Sequence, residues 1–145
     1  MITGKYPSLR LRRNRKSSWA RRLIQENNLT PNDFILPIFL IDGKNKKLPI
    51  KTMPDVYRYS LDKLNYVVEK AIKKGLPMIA LFPNTEKKKK NEIGSEALNE
   101  DNLVCRAIQM IKKRFKNEIG IMCDVALDPY TSHGHDGILK NRYVL

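Results

Sequence analysis

The chain has 145 residues, room for one domain or part of one. Its hydrophobic share is 41%, yet no apolar run approaches the roughly 18 residues of a membrane-spanning helix, and two cysteines are too few for a disulfide framework. The net charge of +13 raises the question of a polyanion partner, but neither basic block carries aromatics spaced for base stacking, nor lies in a recognisable nucleic-acid module.

Residues 1–16 read as an irregular basic arm, and between Met1 and Arg22 there are eight Lys or Arg and no acid. A short helix is expected from Ser17 or Ser18, with Trp19, Leu23 and Ile24 on one stripe. Asn27-Asn28 ends it, and Thr30–Asp33 makes a turn. Phe34–Ile41 is a continuous apolar run, expected as a first buried strand, with Pro37 marking a strand end or an edge position. Asp42–Asn45 reads as a hairpin turn leading into Leu48–Ile50.

Ser60 is expected to cap a helix whose Leu61, Leu64, Val67, Val68, Ala71 and Ile72 recur at helical spacing, and Gly75 to stop it. Met78–Phe82 predicts the second strand, ended by Pro83. A polar loop over residues 84–98 follows, in which Lys87–Lys90 read as solvated. Asn99 is expected to cap the next helix, with Leu103, Val104, Ala107, Ile108, Ile111 and Phe115 on its apolar face. Ile119–Val125 predicts the third strand. Cys105 on the helix and Cys123 on this strand read as buried and inert.

Strand, helix, strand, helix, strand argues for an α/β fold with parallel strands, buried on both faces. The pattern alone fits a doubly wound sheet or a barrel. No glycine-rich phosphate fingerprint follows any strand, which weakens a nucleotide-binding sheet.

The third strand empties into Asp124-Val125-Ala126-Leu127-Asp128-Pro129-Tyr130-Thr131-Ser132-His133-Gly134-His135-Asp136-Gly137. This stretch holds three carboxylates and both histidines of the chain, with Pro and Gly to force turns. It closely resembles the signature of the porphobilinogen synthase (5-aminolevulinate dehydratase) family, which in many members reads D-V-C-x-C-P-Y-T-S-H-G-H-C-G. Thr52–Arg58 is similar to the family's S-M-P-G-V-x-R segment, with Asp55 at the glycine. Ala80–Pro83, and Gly94–Ala97 with Asn99, Leu103, Val104, Arg106 and Ala107, match further blocks.

The resemblance implies the N-terminal portion of a (β/α)8 TIM barrel preceded by an extended arm: residues 1–30 as arm with a short helix, residues 31–145 as the first three β/α units. Such a barrel needs roughly 250 residues, so an N-terminal fragment is expected. The implied activity is a lyase condensing two 5-aminolevulinate molecules to porphobilinogen with loss of water, in tetrapyrrole (haem) biosynthesis. Asp124 is the expected catalytic carboxylate, lining the pocket for a substrate amine; Asp128, Asp136 and Ser132 are expected to bind substrate. The family's Schiff-base lysines are expected on later strands, since no lysine here lies within an apolar strand.

The family's zinc-binding cysteines fall at Ala126, Asp128 and Asp136, so no active-site zinc is expected. Weak magnesium at Asp128 and Asp136, and an allosteric magnesium in the full-length protein, stay open. His133 and His135 read as ordering the loop by hydrogen bonds, and Tyr130 as packing beneath it. The implied assembly is a homo-octamer in the cytoplasm, with no nucleic-acid or membrane partner. A basic RNA-binding protein and a degenerate, non-catalytic one remain the rival readings.

Overall fold

A computed structural model describes residues 4–144. The first three residues of the basic arm, and Leu145, lie outside them. The chain divides at Thr30–Pro31 into two compact units.

In the first unit a six-residue helix, α1 (Ser18–Leu23), follows a 3-10 turn at Arg13–Arg15. Ser17 stands at the N-cap without a side-chain capping bond. The expected stripe of Trp19, Leu23 and Ile24 is 66%, 79% and 46% exposed, and only Ala20 is buried. Among the described residues this helix therefore buries Ala20 and leaves its apolar stripe exposed.

The second unit is built on a five-stranded sheet. Its strands are β1 (Ile35–Ile41), β2 (Lys47–Pro49), β3 (Tyr57–Tyr59), β4 (Met78–Asn84) and β5 (Gly120–Cys123), in the order β2-β3-β1-β4-β5. Strands β3, β1, β4 and β5 run parallel, and β2 pairs antiparallel with β3. Two long helices cross between parallel strands: α2 (Leu61–Lys73) before β4, and α3 (Leu103–Phe115) before β5.

The expected hairpin from Asp42–Asn45 is corrected. β2 turns back onto β3 through residues 50–56 and does not pair with β1. In that connection Asp55 takes φ 62, the left-handed backbone that glycine adopts most readily. β3 is only three residues long, too short for a periodic signal.

The prolines inside β1 and β4 sit where a neighbour has run out. β1 pairs with β4 over its whole length, but with β3 only at Phe39 and Leu40, so Pro37 has an open side. β4 pairs with β5 only from Met78 to Leu81, so Pro83 likewise needs no donor on that side, and the strand continues to Asn84.

The helices cover one face of the sheet. Ile38 and Leu40 of β1, Ile79 and Leu81 of β4, Leu64, Val68 and Ala71 of α2, and Ala107 and Ile111 of α3 form its centre. Full burial of each larger aliphatic side chain contributes roughly 1.5–3 kcal/mol. On the other face Phe39 stacks on Phe82 at 5.6 Å between ring centroids. That face is open: Ile35 and Met122 are each 45% exposed. The expectation of strands buried on both faces therefore holds for one face of the sheet, because the described residues supply helices to one side.

Gly75 ends α2 with φ 74 and a two-bond cap: its N–H donates to the Ile72 carbonyl, and the Leu76 N–H to that of Ala71. α3 is capped by Asn102, not Asn99. The Asn102 side chain accepts from the Cys105 N–H at 2.9 Å, while Asn99 accepts from the Asp101 N–H in a turn ahead of the helix. Ser60 precedes α2 but spends its buried hydroxyl on Lys46, accepting from its N–H at 2.9 Å and donating to its carbonyl. After the polar loop, β5 is followed by a small antiparallel pair, β6 (Leu139–Lys140) and β7 (Tyr143–Val144). Lys140 lies in the first, exposed strand of this pair.

Candidate active site

Parallel strands in register bring their C-terminal ends to one edge of the sheet. Three features meet there: Asp42 after β1, the 84–98 segment after β4, and the 124–137 loop after β5.

β5 stops at Cys123, so Asp124 is the first residue beyond the strand. Its side chain is exposed, and it makes no hydrogen bond or ion pair among the described residues. Asp128 is exposed in the same way. Asp136 is engaged: its Oδ1 accepts from the Leu127 N–H at 2.6 Å and the Asp128 N–H at 3.1 Å. Closure of the loop therefore falls to Asp136, while Asp124 and Asp128 keep free carboxylates. Ser132 is exposed, and its N–H donates to the Asn91 carbonyl at 2.9 Å.

Tyr130 and Thr131 lie beneath the loop, 8% and 1% exposed. The Thr131 hydroxyl donates to the His135 carbonyl at 2.9 Å. Burial pushes the Tyr130 hydroxyl above its ordinary pKa, which favours a packed phenol over a reactive one. His133 orders the backbone. Its Nδ1 accepts from the His135 N–H at 3.3 Å, and its Nε2 lies 3.1 Å from the Glu92 carbonyl. An imidazole with its proton on Nε2 satisfies both contacts. The His135 ring stacks on it, with centroids 6.1 Å apart. Both cysteines are half-buried, and burial pushes the Cys123 thiol up. Among the described residues, no three His, Cys, Asp or Glu side chains come together as a metal-holding group.

Sequence reasoning missed the groups that hold this loop from the side. The Asn91 N–H donates to the Tyr130 carbonyl at 3.3 Å, which with the Ser132 bond makes a parallel bridge between the two segments. Gly94 has φ 64, and a Cβ there would stand 3.3 Å from Thr131 Cγ2, so the approach favours glycine. Lys89, expected to be solvated, donates to Asp42 Oδ2 at 2.9 Å, and Arg106 donates to Asp42 Oδ1 at 2.6 Å. Burial of Asp42 works against its charge, but the bonds from Lys89 and Arg106 outweigh it and hold the carboxyl below the usual aspartate range. Its stabilising contribution is therefore complete above the ordinary value near 4 and is lost as pH falls through the depressed one.

A parallel sheet with helices on one face only and an acidic, turn-rich loop at its C-terminal edge matches part of a (β/α)8 barrel rather than a doubly wound sheet. The sequence profile described as delta-aminolevulinic acid dehydratase matches residues 8–145. The chain is 54% identical over 138 residues to the delta-aminolevulinic acid dehydratase of Bradyrhizobium diazoefficiens, covering 95% of this chain and 39% of the relative. The protein of that name in Chlamydia pneumoniae is 43% identical over 138 residues, covering 95% of this chain and 41% of its own. The structure also superposes on the Toxoplasma gondii ME49 delta-aminolevulinic acid dehydratase (porphobilinogen synthase), solved in complex with the reaction product porphobilinogen. The TM-score is 0.82 at 36% identity, over 94% of this chain and 38% of the other. The chain belongs to the delta-aminolevulinic acid dehydratase family. It spans about 40% of the length of the relatives it matches.

No helix among the described residues is long and apolar enough to cross a membrane.

Proposed function

We propose that this chain forms one wall of the active site of a porphobilinogen synthase, a lyase that condenses two 5-aminolevulinate molecules with loss of water. The observation that carries the reading is the free carboxylate of Asp124 at the mouth of β5, in a loop whose own closure is provided by Asp136. A carboxylate placed there can orient an ammonium group or take a proton from it. Asp128 and Ser132 extend the same polar surface toward substrate. Asp136 commits one oxygen to the backbone and thereby orients Asp128. The lysines that form Schiff bases to the substrate's keto group come from later strands in this reading; no lysine lies on β1, β4 or β5.

The positions that hold zinc in cysteine-bearing relatives are here a methyl group and two carboxylates, one of them occupied by two N–H donors. Zinc takes three or four protein ligands, chiefly thiolate and imidazole with an occasional carboxylate, so two carboxylates beside an alanine do not suit it. In the proposed reading Asp128 and Asp136 act on the substrate amine.

The test uses a chimaera in which residues 8–145 replace the matching segment of the Bradyrhizobium relative. It is expected to make porphobilinogen from 5-aminolevulinate, and to keep its rate after dialysis against a zinc-selective chelator. The 145-residue chain alone is expected to show no turnover and no borohydride-trapped adduct. A chimaera that folds but is inactive would overturn the functional reading, and activity restored only by zinc would overturn the metal reading.

The same reading makes the first unit an intersubunit arm of a cytoplasmic homo-octamer without a nucleic-acid partner. The exposed stripe of Trp19, Leu23 and Ile24 supports an apolar contact for it. Trp19→Ser with Leu23→Ser in the chimaera is expected to shift sedimentation toward smaller species and to lower activity with it. An unchanged octamer would show that the stripe plays no part in assembly.

A further inference from the structure

We infer that Asp42 is a positioning residue for the 124–137 loop and acts on it through the 84–98 segment. The loop-ordering part stands on geometry alone; its consequence for turnover rests on the function proposed above.

Asp42 follows the last residue of β1, and its side chain is only 16% exposed. It binds two cations, 47 and 64 residues away in sequence, through separate oxygens: Lys89 at 2.9 Å and Arg106 at 2.6 Å. Lys89 Nζ also lies 3.8 Å from Glu96 Oε1, and the Glu96 side chain is 14% exposed. Exposed ion pairs are worth little, but this network shields both acids and fixes a tight turn at Lys87–Lys89. Lys88 shows the contrast: it is 77% exposed and pairs only with Glu86 beside it.

Two residues beyond Lys89 the chain meets the loop. Asn91 bridges Tyr130 and Ser132 through its own N–H and carbonyl, the Glu92 carbonyl receives the His133 ring, and Gly94 packs on Thr131. Each link from the end of β1 to the backbone of Ser132 is thus a direct contact. Without the Asp42 charge, Lys89 is left with the 3.8 Å approach to Glu96 and a weaker interaction with Glu86, Arg106 with its bond to the Asp101 carbonyl, and the turn that carries Asn91 loses its main anchor.

Hydrogen exchange on the 145-residue chain tests the loop-ordering part. Asp42→Asn keeps the shape and removes the charge. It is expected to speed exchange of the Ser132 and Asn91 amides roughly tenfold, the loss of one charge-assisted bond, with Val68 in α2 unchanged. Lys89→Gln, outside any strand, is expected to give the same local pattern, and Asp42→Glu to restore much of the protection. In the chimaera, Asp42→Asn is expected to lower kcat/KM, with recovery in Asp42→Glu. Unchanged Ser132 exchange in both Asp42→Asn and Lys89→Gln would overturn the inference. So would equal acceleration at Ser132 and Val68, which would make Asp42 a general stability residue. If the parent chimaera is inactive, the proposed function fails, and the exchange data still decide the role of Asp42.

Discussion

Asp124→Asn in the chimaera is expected to cut turnover about a hundredfold, equivalent to roughly 3 kcal/mol of transition-state stabilisation from one preorganised electrostatic contact. The unfolding free energy should stay within about 0.5 kcal/mol, as for surface substitutions away from structural features. The asymmetry follows from geometry. The Asp124 carboxylate is exposed and makes no hydrogen bond or ion pair among the described residues, so the fold loses nothing when its charge goes. A carboxylate that capped the loop would behave in the opposite way, and that role belongs to Asp136. Asp136→Asn keeps an amide oxygen able to accept from Leu127 and Asp128, and is expected to cost less activity than Asp124→Asn. Turnover and thermal unfolding measured together decide the matter. Near-normal turnover in Asp124→Asn, or a large loss of stability, would remove Asp124 from the catalytic role.

Leu81→Ala is expected to destabilise the chain by about 2–5 kcal/mol, the range for a large aliphatic residue removed from a packed core. Leu81 is 1% exposed, sits on β4 between Ile38 and Cys123, and belongs to the cluster under α2 and α3. Against a total stability of roughly 5–15 kcal/mol for a typical domain, that loss is a large part of the whole. Met122→Ala, on the open face of the neighbouring strand and 45% exposed, is expected to cost under about 1 kcal/mol. Urea unfolding of the two variants gives the comparison. Equal losses would mean that the two faces of the sheet are equally packed.

Helical periodicity made α2 and α3 legible, since the residues expected on their apolar faces are the ones that meet the sheet. Gly75 was equally legible because a left-handed residue after a helix has few alternatives to glycine. Asn99 and Asn102 were not separable by residue type. A 3-10 turn at Ser95–Leu98 and the Asn99 turn occupy the residues ahead of the helix and delay its start. Proline misled at residue 83 because a strand's tolerance for it depends on where its neighbours stop, which is a property of the sheet. At the site, Asp124 and its loop could be found because they are contiguous. Asp42, Lys89 and Arg106 are joined only by folding, and a carboxylate just past an apolar run was their sole local sign.

The open face of the sheet has a bearing on how such a chain is made. Among the described residues β5 has no neighbour on its outer side, so its backbone donors and acceptors there form an unblunted edge beside Met122. An edge of that kind is a template for pairing with any other extended segment, including the same strand of another copy. Barrel closure removes every edge at once, and it cannot begin before the later strands exist. In a full-length barrel of the proposed kind, synthesised at roughly 5–20 residues per second, this edge would wait many seconds uncovered. The helices packed on the opposite face keep that half of the sheet from the same hazard. In the whole-barrel reading proposed above, chaperone demand during translation is expected to peak after β5 emerges and to fall once a following strand pairs with it.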